Sequence, residues 1–573
     1  MRTSLGRIWR LTRLAASGPQ VWVGLVLFGI VLALICIDLY VDVLMINWTR
    51  RFFDAVEQVD AATTISELGV FAVLVCCSAG IFLVGDYLRK RLWLHWRQRL
   101  TERAVHAWTS NGAYWHLREG LSDKTVDNPD QRISEDCDRF IDLMLQLTVD
   151  LFARVIGLVT YLAILWTLSD FVLRFALFGI DFAIPRYLVW LAFIYVLVSS
   201  VITHVMGWQL KSLLFRHERR EADFRHALVQ VRDNANEIAH SRGEEAERRR
   251  LDVRFQGIRG NWLRLIRREL ILGLFSRPYY QSILRVPLFF ALPAYFAGSV
   301  TFGGLMQLSR AFGSVTQTLS WFIFKYEKLA ELAAVSQRLD DLFRVTTDPA
   351  PVKEAVTAIE RDISRDGALR VSGLHLSTPQ GRWLEPVPDR VVRPGERIWI
   401  TGPSGQGKTT LLSALSGLWR YGQGRVETPE AQLMVLSQRP HLFSEGLAAA
   451  ACYPADPTKV DPEKLRDVFE RIGLSHRFDA IDRDGAGALE GLSLGERQRL
   501  ALARVLLHRP DWIILDEATS SLDMASEAHM LALLRRELPK ATVLCVAHRE
   551  PVALEPTGIW QIGEITQLER RTA

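Results

Sequence analysis

The stretch from Gly402 to Thr410 reads Gly-Pro-Ser-Gly-Gln-Gly-Lys-Thr-Thr, and it decides the fold of the second half of the chain. It lies between a predicted buried strand, Arg397–Thr401, and a predicted helix, residues 410–418. A glycine-rich turn between a strand and a helix points backbone N–H groups inward at the positive end of the helix dipole, so it can cradle phosphate. The sequence therefore predicts an α/β nucleotide-binding fold here.

The side chains that follow the turn fit the chemistry of a nucleoside triphosphate. We expect Lys408 to neutralise the β- and γ-phosphates and the Thr409 hydroxyl to bind Mg²⁺. Gln438 follows a strand-like run, residues 433–437, at a position suited to sensing metal and water. The residues predicted to bind ATP are Gly402, Pro403, Ser404, Gly405, Gln406, Gly407, Lys408, Thr409, Thr410 and Gln438.

Two further apolar runs end in polar residues. Residues 513–515 precede Asp516 and Glu517, and residues 542–546 lead to Ala547 and then His548. Phosphoryl transfer needs a positioned water more than covalent chemistry, so Glu517 is the candidate that polarises the water and His548 the candidate contact for the γ-phosphate. A single histidine is more often structural, but one at the end of a strand in this ordered set favours the site. The predicted metal ligands are Thr409, Gln438 and Asp516.

The first half of the chain is predicted to be a membrane α-helical bundle. A helix needs about 20 apolar residues to cross the hydrocarbon core, and six segments meet this length. We expect a transmembrane domain over residues 1–345, a linker over 346–366 and a nucleotide-binding domain over 367–573. The six predicted spans are residues 21–47, 68–88, 147–168, 187–208, 270–297 and 301–324.

Length, composition and charge agree with a membrane half joined to a soluble half. The chain has 573 residues, of which 23% are charged and 49% hydrophobic. Its six cysteines show no metal or redox spacing, so a disulfide framework is not expected. The first apolar stretch is too long for a signal-peptide core and is interpreted as a retained span.

Arginines predict the orientation of the membrane half. The N-terminus and residues 89–145 and 209–269 are rich in arginine, whereas the opposite connections carry few basic residues. The positive-inside bias therefore places both termini and both long connections, which we expect to be helical extensions of the spans, in the cytoplasm.

The run Arg248–Arg250 could also suggest nucleic-acid binding, but interleaved acidic residues favour a solvated helix face and no nucleic-acid partner.

Several polar residues lie inside the predicted spans. Gln307, Arg310, Ser314 and Gln317 recur at helical spacing, and one further pair of aspartates is one turn apart. A charge at mid-bilayer costs roughly 2.5–3.5 kcal/mol, so these side chains should avoid lipid. They could line a hydrated substrate cavity, or they could make helix–helix hydrogen bonds or lie near a membrane surface. The candidate cavity residues are Arg310, Gln307, Gln317, Asp38 and Asp42.

The C-terminal half resembles the ATPase domain of ATP-binding cassette (ABC) transporters. Besides the phosphate-binding loop, the Asp516–Glu517 pair and His548, it contains a run that resembles the family's signature and the sequence Ser521-Leu522-Asp523, which resembles its D-loop. The resemblance implies an exporter-type fold, ATP and Mg²⁺ as cofactors, and a homodimer with twelve spans in a lipid bilayer. It also implies that the signature of one subunit caps the nucleotide held by the other. The signature residues are Leu492, Ser493, Leu494, Gly495 and Glu496.

The chain departs from the family at the adenine. The family usually stacks this base on an aromatic residue shortly after the first strand of the domain. Here Thr378 occupies the corresponding region, and Trp383 is the aromatic residue that could substitute. Whether Trp383 or no aromatic residue stacks on adenine stays open.

Two stretches resemble a subgroup of the family. Residues 128–132 and 236–245 resemble motifs of subfamily D, which includes peroxisomal acyl-CoA carriers and the bacterial SbmA/BacA-like proteins that take up peptides, bleomycin or vitamin B12. This resemblance, with the short loops, predicts a bacterial plasma (inner) membrane protein that imports bulky hydrophilic compounds such as peptides or cobalamin. Two alternatives remain: an exporter or translocator of lipids, fatty acyl-CoA or other hydrophobic compounds, and an ATPase that transports nothing.

Overall fold

The chain forms two compact units. The first unit takes in the described residues of Met1–His106 and Asn128–Arg344, and the second those of Ala107–Asp127 and Val345–Ala573. The computed structural model describes residues 2–117, 128–177, 180–282, 285–347, 359–438, 440, 442, 446–480 and 492–563.

Long helices build the first unit. Several of them continue well beyond the predicted spans into the arginine-rich connections, which confirms that these connections are helical where the structure describes them. The helices up to residue 347, of which α4 belongs to the second unit, are α1 (Arg2–Ala16), α2 (Val21–Glu57), α3 (Ala61–Thr109), α4 (Ala113–His116), α5 (Pro129–Gln131), α6 (Cys137–Leu168), α7 (Tyr187–Asp233), α8 (Ala235–Ser241), α9 (Glu244–Ser282), α10 (Val286–Phe296), α11 (Phe302–Leu319) and α12 (Trp321–Thr347).

The predicted number of six spans is not confirmed. The described part of the chain has four helices long and apolar enough to cross a membrane, namely Val21–Glu57, Ala61–Thr109, Pro129–Leu168 and Tyr187–Asp233. The predicted span 270–297 is divided between α9 and α10, and α10 alone, with 11 residues, is too short to cross. Pro287 in the first turn of α10 favours a new helix start, since proline lacks the N–H that a continuing helix needs. The predicted span 301–324 carries the polar residues of α11, which reduce its apolar character.

The helix α11 is the centre of the first unit and packs against α2, α6, α7 and α10. Its apolar face contributes Leu305, Leu308 and Phe312 to a buried cluster. At its first turn a Cβ on Gly303 would overlap the carbonyl oxygen of Arg50, so only glycine lets α11 approach α2 this closely. The Gly303 N–H donates to the Asp54 carboxylate over 2.9 Å, which satisfies a backbone donor at the helix start.

A hairpin joins α6 to α7. Strand β1 (Val172–Leu177) pairs antiparallel with β2 (Ile180–Pro185). The sequence had suggested only a short connection over residues 169–186. Two strands without a third are marginal by themselves, so the helices on either side must hold the hairpin.

The second unit contains two sheets with helices around them. One sheet is entirely parallel with the order β12-β7-β11-β10-β9, and the other has the order β3-β8-β4-β5 with β6 on β4. Its strands are β3 (Glu360–Ser364), β4 (Leu369–Ser377), β5 (Trp383–Pro386), β6 (Arg390–Val392), β7 (Arg397–Thr401), β8 (Gly422–Pro429), β9 (Leu433–Leu436), β10 (Trp512–Asp516), β11 (Thr542–Val546) and β12 (Gly558–Gln561). Its longer helices are α13 (Lys408–Leu415), α14 (Leu447–Cys452), α15 (Pro462–Arg471), α16 (Leu494–His508) and α17 (Met524–Glu537).

The predicted strands of the nucleotide-binding half are confirmed. Strand β7 has the predicted bounds, and β9, β10 and β11 agree with their predictions within one residue at either end. The strand β3, however, lies inside the segment expected to be a linker, 346–366, and pairs in parallel with β8. The described strands of the nucleotide-binding half therefore begin earlier than the predicted boundary at residue 367.

A segment from the first half of the sequence also belongs to the second unit. In its described part, which includes α4, the ring of Trp115 lies 6.3 Å from that of Trp419 in an edge-on contact. Burial lowers the pKa of the neighbouring His116, and the charge of Arg420 lowers it further. This segment thus packs through an aromatic contact against the ATPase half, which the predicted boundaries did not include.

Candidate nucleotide site

The phosphate-binding loop lies between β7 and α13. Two of its glycines have positive φ angles that disfavour any other residue. Gly402 has φ +150°, and a Cβ there would overlap the carbonyl oxygen of Ile562. Gly407 has φ +88°, and a Cβ would lie 2.8 Å from Cδ1 of Leu384. The loop can therefore keep its backbone N–H groups free of side chains, as phosphate binding requires.

Lys408 and Thr409 begin α13 directly behind this loop. The Lys408 ammonium donates to the carbonyl oxygens of Gly402 and Pro403 over 2.7 and 2.9 Å, so it lies within the loop. The Thr409 hydroxyl lies 3.4 Å from a carboxylate oxygen of Asp516 at the end of β10. A hydroxyl and a carboxylate at this separation are the hard oxygen ligands that Mg²⁺ prefers, so the residues present fit a magnesium nucleotide.

Asp516 is half-buried, and burial raises its pKa. The hydrogen bond from Thr409 acts in the opposite direction and favours the carboxylate, whereas the charge of the adjacent Glu517 disfavours it. A cation placed beside Asp516 would favour its ionised form.

The Glu517 side chain contacts two other predicted site residues, Gln438 and His548. Its backbone has φ +51°, a strained conformation for a residue other than glycine, and its N–H donates to the Val546 carbonyl oxygen over 3.1 Å. Its carboxylate accepts a 2.9 Å hydrogen bond from Nε2 of Gln438 and lies 3.1 Å from Nε2 of His548. The three side chains follow β10, β9 and β11, so the parallel sheet brings them to one edge because its strands end there.

The signature residues form the start of α16. The hydroxyl of Ser493 accepts from the Glu496 N–H over 3.2 Å, while the Glu496 carboxylate accepts from the Ser493 N–H over 2.8 Å, which together make a capping box. Leu494, the first residue of α16, is an exposed side chain, and Gly495 lies against the backbone of Ser521.

The Glu496 carboxylate is held in its charged form. Burial opposes its ionisation, but hydrogen bonds from the Ser493 backbone and from the Arg477 guanidinium outweigh burial and lower the pKa of Glu496 to about 2. Arg477 Nε donates to it over 3.1 Å, and His476 lies 3.3 Å away. The acidic residue of the signature is therefore a structural anchor for the serine beside it.

Gln498 is a residue that the sequence analysis missed. It is 1% exposed on α16, and its Nε2 donates to the Gln438 carbonyl oxygen over 3.0 Å. Its Oε1 accepts from the Ser521 N–H over 2.9 Å. This side chain thus connects the signature helix to Gln438 and to the segment resembling the D-loop. Its position two residues after the signature was the available signal, but spacing alone could not reveal these contacts.

The region predicted to receive adenine contains Trp383 at the start of β5. Its indole ring is 40% exposed and lies 4.7 Å from the His375 ring at an angle of 37°. Thr378 instead closes a turn in which its N–H donates to the Arg382 carbonyl oxygen over 2.7 Å. Stacking of adenine on Trp383 stays a prediction.

The candidate cavity residues of α11 fall into two groups. Arg310 and Gln317 are exposed on the helix, with Ser314 partly exposed between them. Gln307 is only 3% exposed, and its Nε2 donates to Oδ1 of Asn47 over 2.9 Å. Gln307 therefore makes the helix–helix hydrogen bond that was the alternative for these residues, and the exposed polar stripe of α11 consists of Arg310, Ser314 and Gln317.

The two aspartates of α2 also have partners in the first unit. Asp38 accepts a hydrogen bond from the Ser78 hydroxyl over 3.0 Å. Asp42 accepts one from the Tyr161 hydroxyl over 2.9 Å and remains exposed. Both carboxylates connect helices, and Asp42 is in addition open to whatever lies beside α2.

Comparison with known proteins places this arrangement in a family. The model described as ABC transporter transmembrane region 2 matches residues 11–296, and the model described as ABC transporter matches residues 389–520. The chain is 33% identical over 536 residues to the inner membrane ABC transporter ATP-binding protein YddA of Escherichia coli (strain K12), with 93% of this chain and 92% of that protein covered. The chain belongs to the ABC transporter family. Its ATPase unit couples ATP hydrolysis to transport.

Other similarities extend over most of this ABC transporter. It is 28% identical over 524 residues to the lysosomal cobalamin transporter ABCD4 of Mus musculus, with 83% of this chain and 82% of that protein covered. The relatives include further members of subfamily D, which confirms the predicted resemblance to that subfamily, whereas the resemblance to SbmA/BacA-like proteins stays a prediction. A solved structure described as a bacterial Atm1-family ABC exporter with ATP bound has a TM-score of 0.74 at 16% identity, with 97% of each chain covered. This likeness confirms the exporter-type fold.

Proposed function

We propose that two copies of this chain form a homodimer that takes up bulky hydrophilic compounds such as cobalamin or peptides. The observation that carries the cargo class is the exposed polar stripe of α11, Arg310, Ser314 and Gln317, on the helix at the centre of the first unit. A charged and polar stripe there is costly against lipid and useful against a hydrated cargo. The similarity to a protein named a cobalamin transporter supports cobalamin as the first compound to test.

The nucleotide chemistry is assigned to the residues gathered at the edge of the parallel sheet. A bound Mg²⁺ would supply positive charge to the phosphates, held by Thr409 and Asp516 with Gln438 nearby. Lys408 would move from the loop carbonyls to the β- and γ-phosphates. Glu517 would orient and polarise the attacking water, with His548 beside it as a phosphate contact.

The signature residues are the part of the chain that we expect to contact the partner subunit's nucleotide. Ser493 and Gly495 lie at the N-terminus of α16, where the helix dipole and free backbone N–H groups favour an anion. In the head-to-tail arrangement that the family resemblance implies, this helix end would cap the γ-phosphate of the nucleotide on the partner subunit.

The orientation in the membrane is inferred from the arginine distribution, and the identity of the membrane from the similarity to a known protein. The arginine-rich helical extensions support cytoplasmic termini through the positive-inside bias. The similarity to a bacterial inner membrane protein supports that membrane as the location.

Export of lipids, fatty acyl-CoA or other hydrophobic compounds is the second candidate. The fold likeness to a protein described as an exporter favours it, although import and export can share one fold. A phospholipid or acyl-CoA would present phosphate to Arg310, but its hydrocarbon chains would match neither Ser314 nor Gln317.

Uptake of radiolabelled cobalamin by a bacterial strain that lacks its own inner-membrane cobalamin importer tests the proposal. We expect accumulation with the intact chain and none with Glu517→Gln, because that change removes the residue assigned to the water. Arg310→Gln should lower uptake while ATP hydrolysis by the purified protein continues. Glu550→Gln changes an exposed glutamate next to the site and is the matched control, in which uptake should equal that of the intact chain.

Two results of these uptake experiments would contradict the proposal. Absence of uptake, together with stimulation of ATP hydrolysis by acyl-CoA or phospholipid, would replace import of hydrophilic compounds by the second candidate. Uptake that persists in Glu517→Gln would exclude ATP as the energy source.

A further inference from the structure

Four arginines of the first unit line one groove between two neighbouring helices. Arg216 comes from α7, and Arg264, Arg267 and Arg268 come from α9. The groove has a volume of about 490 Å³, and Gln209 and Ser212 add polar groups to it. Neither the nucleotide site nor the polar stripe of α11 uses these residues.

The positive charge of this groove is not balanced within the part of the chain that the structure describes. There, none of the four guanidinium groups forms an ion pair within 4.0 Å of a carboxylate. Arg216 and Arg264 donate through Nε to backbone carbonyl oxygens of their own helices, at Ser212 and Gly260, over 3.0 and 3.1 Å. By contrast, Arg248, near the N-terminus of α9, pairs with Glu245 over 3.3 Å. Among the described side chains, the groove is therefore a concentration of positive charge without a paired carboxylate.

An apolar surface begins one turn away on both helices. On α7, Val205 and Trp208 are 64% and 65% exposed, and on α9, Leu270 and Leu274 are 64% and 69% exposed. Exposed apolar side chains beside a membrane-spanning segment mark the level of the hydrocarbon, and tryptophan is typical of its boundary with water. The groove consequently lies at the level where phospholipid head groups begin.

We propose that this groove binds the phosphate of an anionic phospholipid in the adjacent leaflet. The guanidinium group matches phosphate oxygens in a bidentate geometry, and several arginines on one concave surface can share one phosphate. The neighbouring apolar side chains would contact the acyl chains, which a soluble phosphate lacks. The lipid site is independent of the cargo, and it gives the arginines of α7 and α9 a ligand rather than only a solvated surface.

Binding of fluorescent phosphatidylglycerol to the purified full-length protein in a neutral detergent tests the site, with fluorescent phosphatidylcholine as the zwitterionic comparison. The variant R264Q/R267Q/R268Q removes three groove charges. R249Q/R254Q/R259Q removes three arginine charges from α9 outside the groove and is the matched control. Each basic residue near an anionic lipid is worth about fivefold in affinity, so we expect a loss of roughly a hundredfold for the groove variant and little change for the control. The single variants R264Q and R267Q should each lose about fivefold, and they answer the question if the triple variant does not fold.

Two outcomes would overturn the lipid site. In the first, the groove and control variants bind phosphatidylglycerol equally well, which makes the arginines a solvated surface. In the second, inorganic phosphate or glycerol 3-phosphate competes as effectively as unlabelled phosphatidylglycerol, which makes the ligand a soluble phosphate compound. Preference for phosphatidylglycerol over phosphatidylcholine, lost only in the groove variants, supports the proposal.

Discussion

Glu517 is the side chain on which ATP turnover should depend most, because its carboxylate contacts both Gln438 and His548 at the edge of the sheet. We predict that Glu517→Gln lowers the hydrolysis rate at least about a hundredfold, the usual effect of losing a general base, while ATP binding persists. Phosphate release and binding of a fluorescent ATP analogue by the purified protein measure the two properties. Glu550→Gln should change neither, and rapid hydrolysis by Glu517→Gln would move the water-activating role to another residue.

Because the pKa of Glu496 is lowered in the folded chain, the stability of the fold should depend on pH. Its pKa is about 2 in the folded chain against an ordinary value of 4.5, so its charged form stabilises the fold fully above pH 4.5. This contribution is lost as the pH falls from 4.5 towards 2. We predict that Glu496→Gln lowers the unfolding temperature at pH 7 and that its difference from the unaltered chain narrows below pH 4.5. Thermal unfolding from pH 7 to 3.5 measures this, with Glu470→Gln as an exposed control; a difference that is constant with pH would contradict it.

At the scale of elements, the contact between α2 and α11 allows a paired test. A Cβ at Gly303 would overlap the Arg50 carbonyl oxygen, whereas one at Gly304 would meet only the side chains of Val300 and Thr301 at 2.9 and 3.2 Å. We predict that Gly303→Ala destabilises the protein by about 1–3 kcal/mol through overpacking, and that Gly304→Ala costs less. Thermal unfolding in detergent compares them, and equal stability of the two variants would show that α11 can move away from α2.

At the scale of the whole molecule, the proposed head-to-tail dimer predicts complementation between two inactive subunits. Lys408→Ala removes the phosphate contact and Ser493→Arg blocks the signature, so each homodimer should be inactive. A mixed dimer of the two keeps one site in which both halves are intact. We therefore expect ATP hydrolysis to return when differently tagged subunits are expressed together and purified through both tags. Two Lys408→Ala subunits with different tags are the control, and no recovery in the mixed dimer would exclude a shared site.

The sequence predicted the nucleotide half better than the membrane half, for physical reasons. A loop that binds phosphate and strands that end in ligands follow local rules, so Lys408, Asp516 and Glu517 could be placed from spacing alone. Contacts distant in sequence follow from packing. Gln498, which joins three segments, and Trp115, which lies against Trp419, therefore could not be found in this way. Gln307 shows the same limit, since helical spacing gives a stripe but not which of its members faces another helix.

The packing of Trp115 on Trp419 has a practical consequence for anyone who divides this chain. A fragment that begins at Ile359 would keep strand β3 and every nucleotide motif and would lack residues 107–117. Its Trp419 would lose an indole neighbour, and such a fragment should be prone to self-association. Adding a peptide that spans residues 107–117 should keep the fragment monomeric in solution.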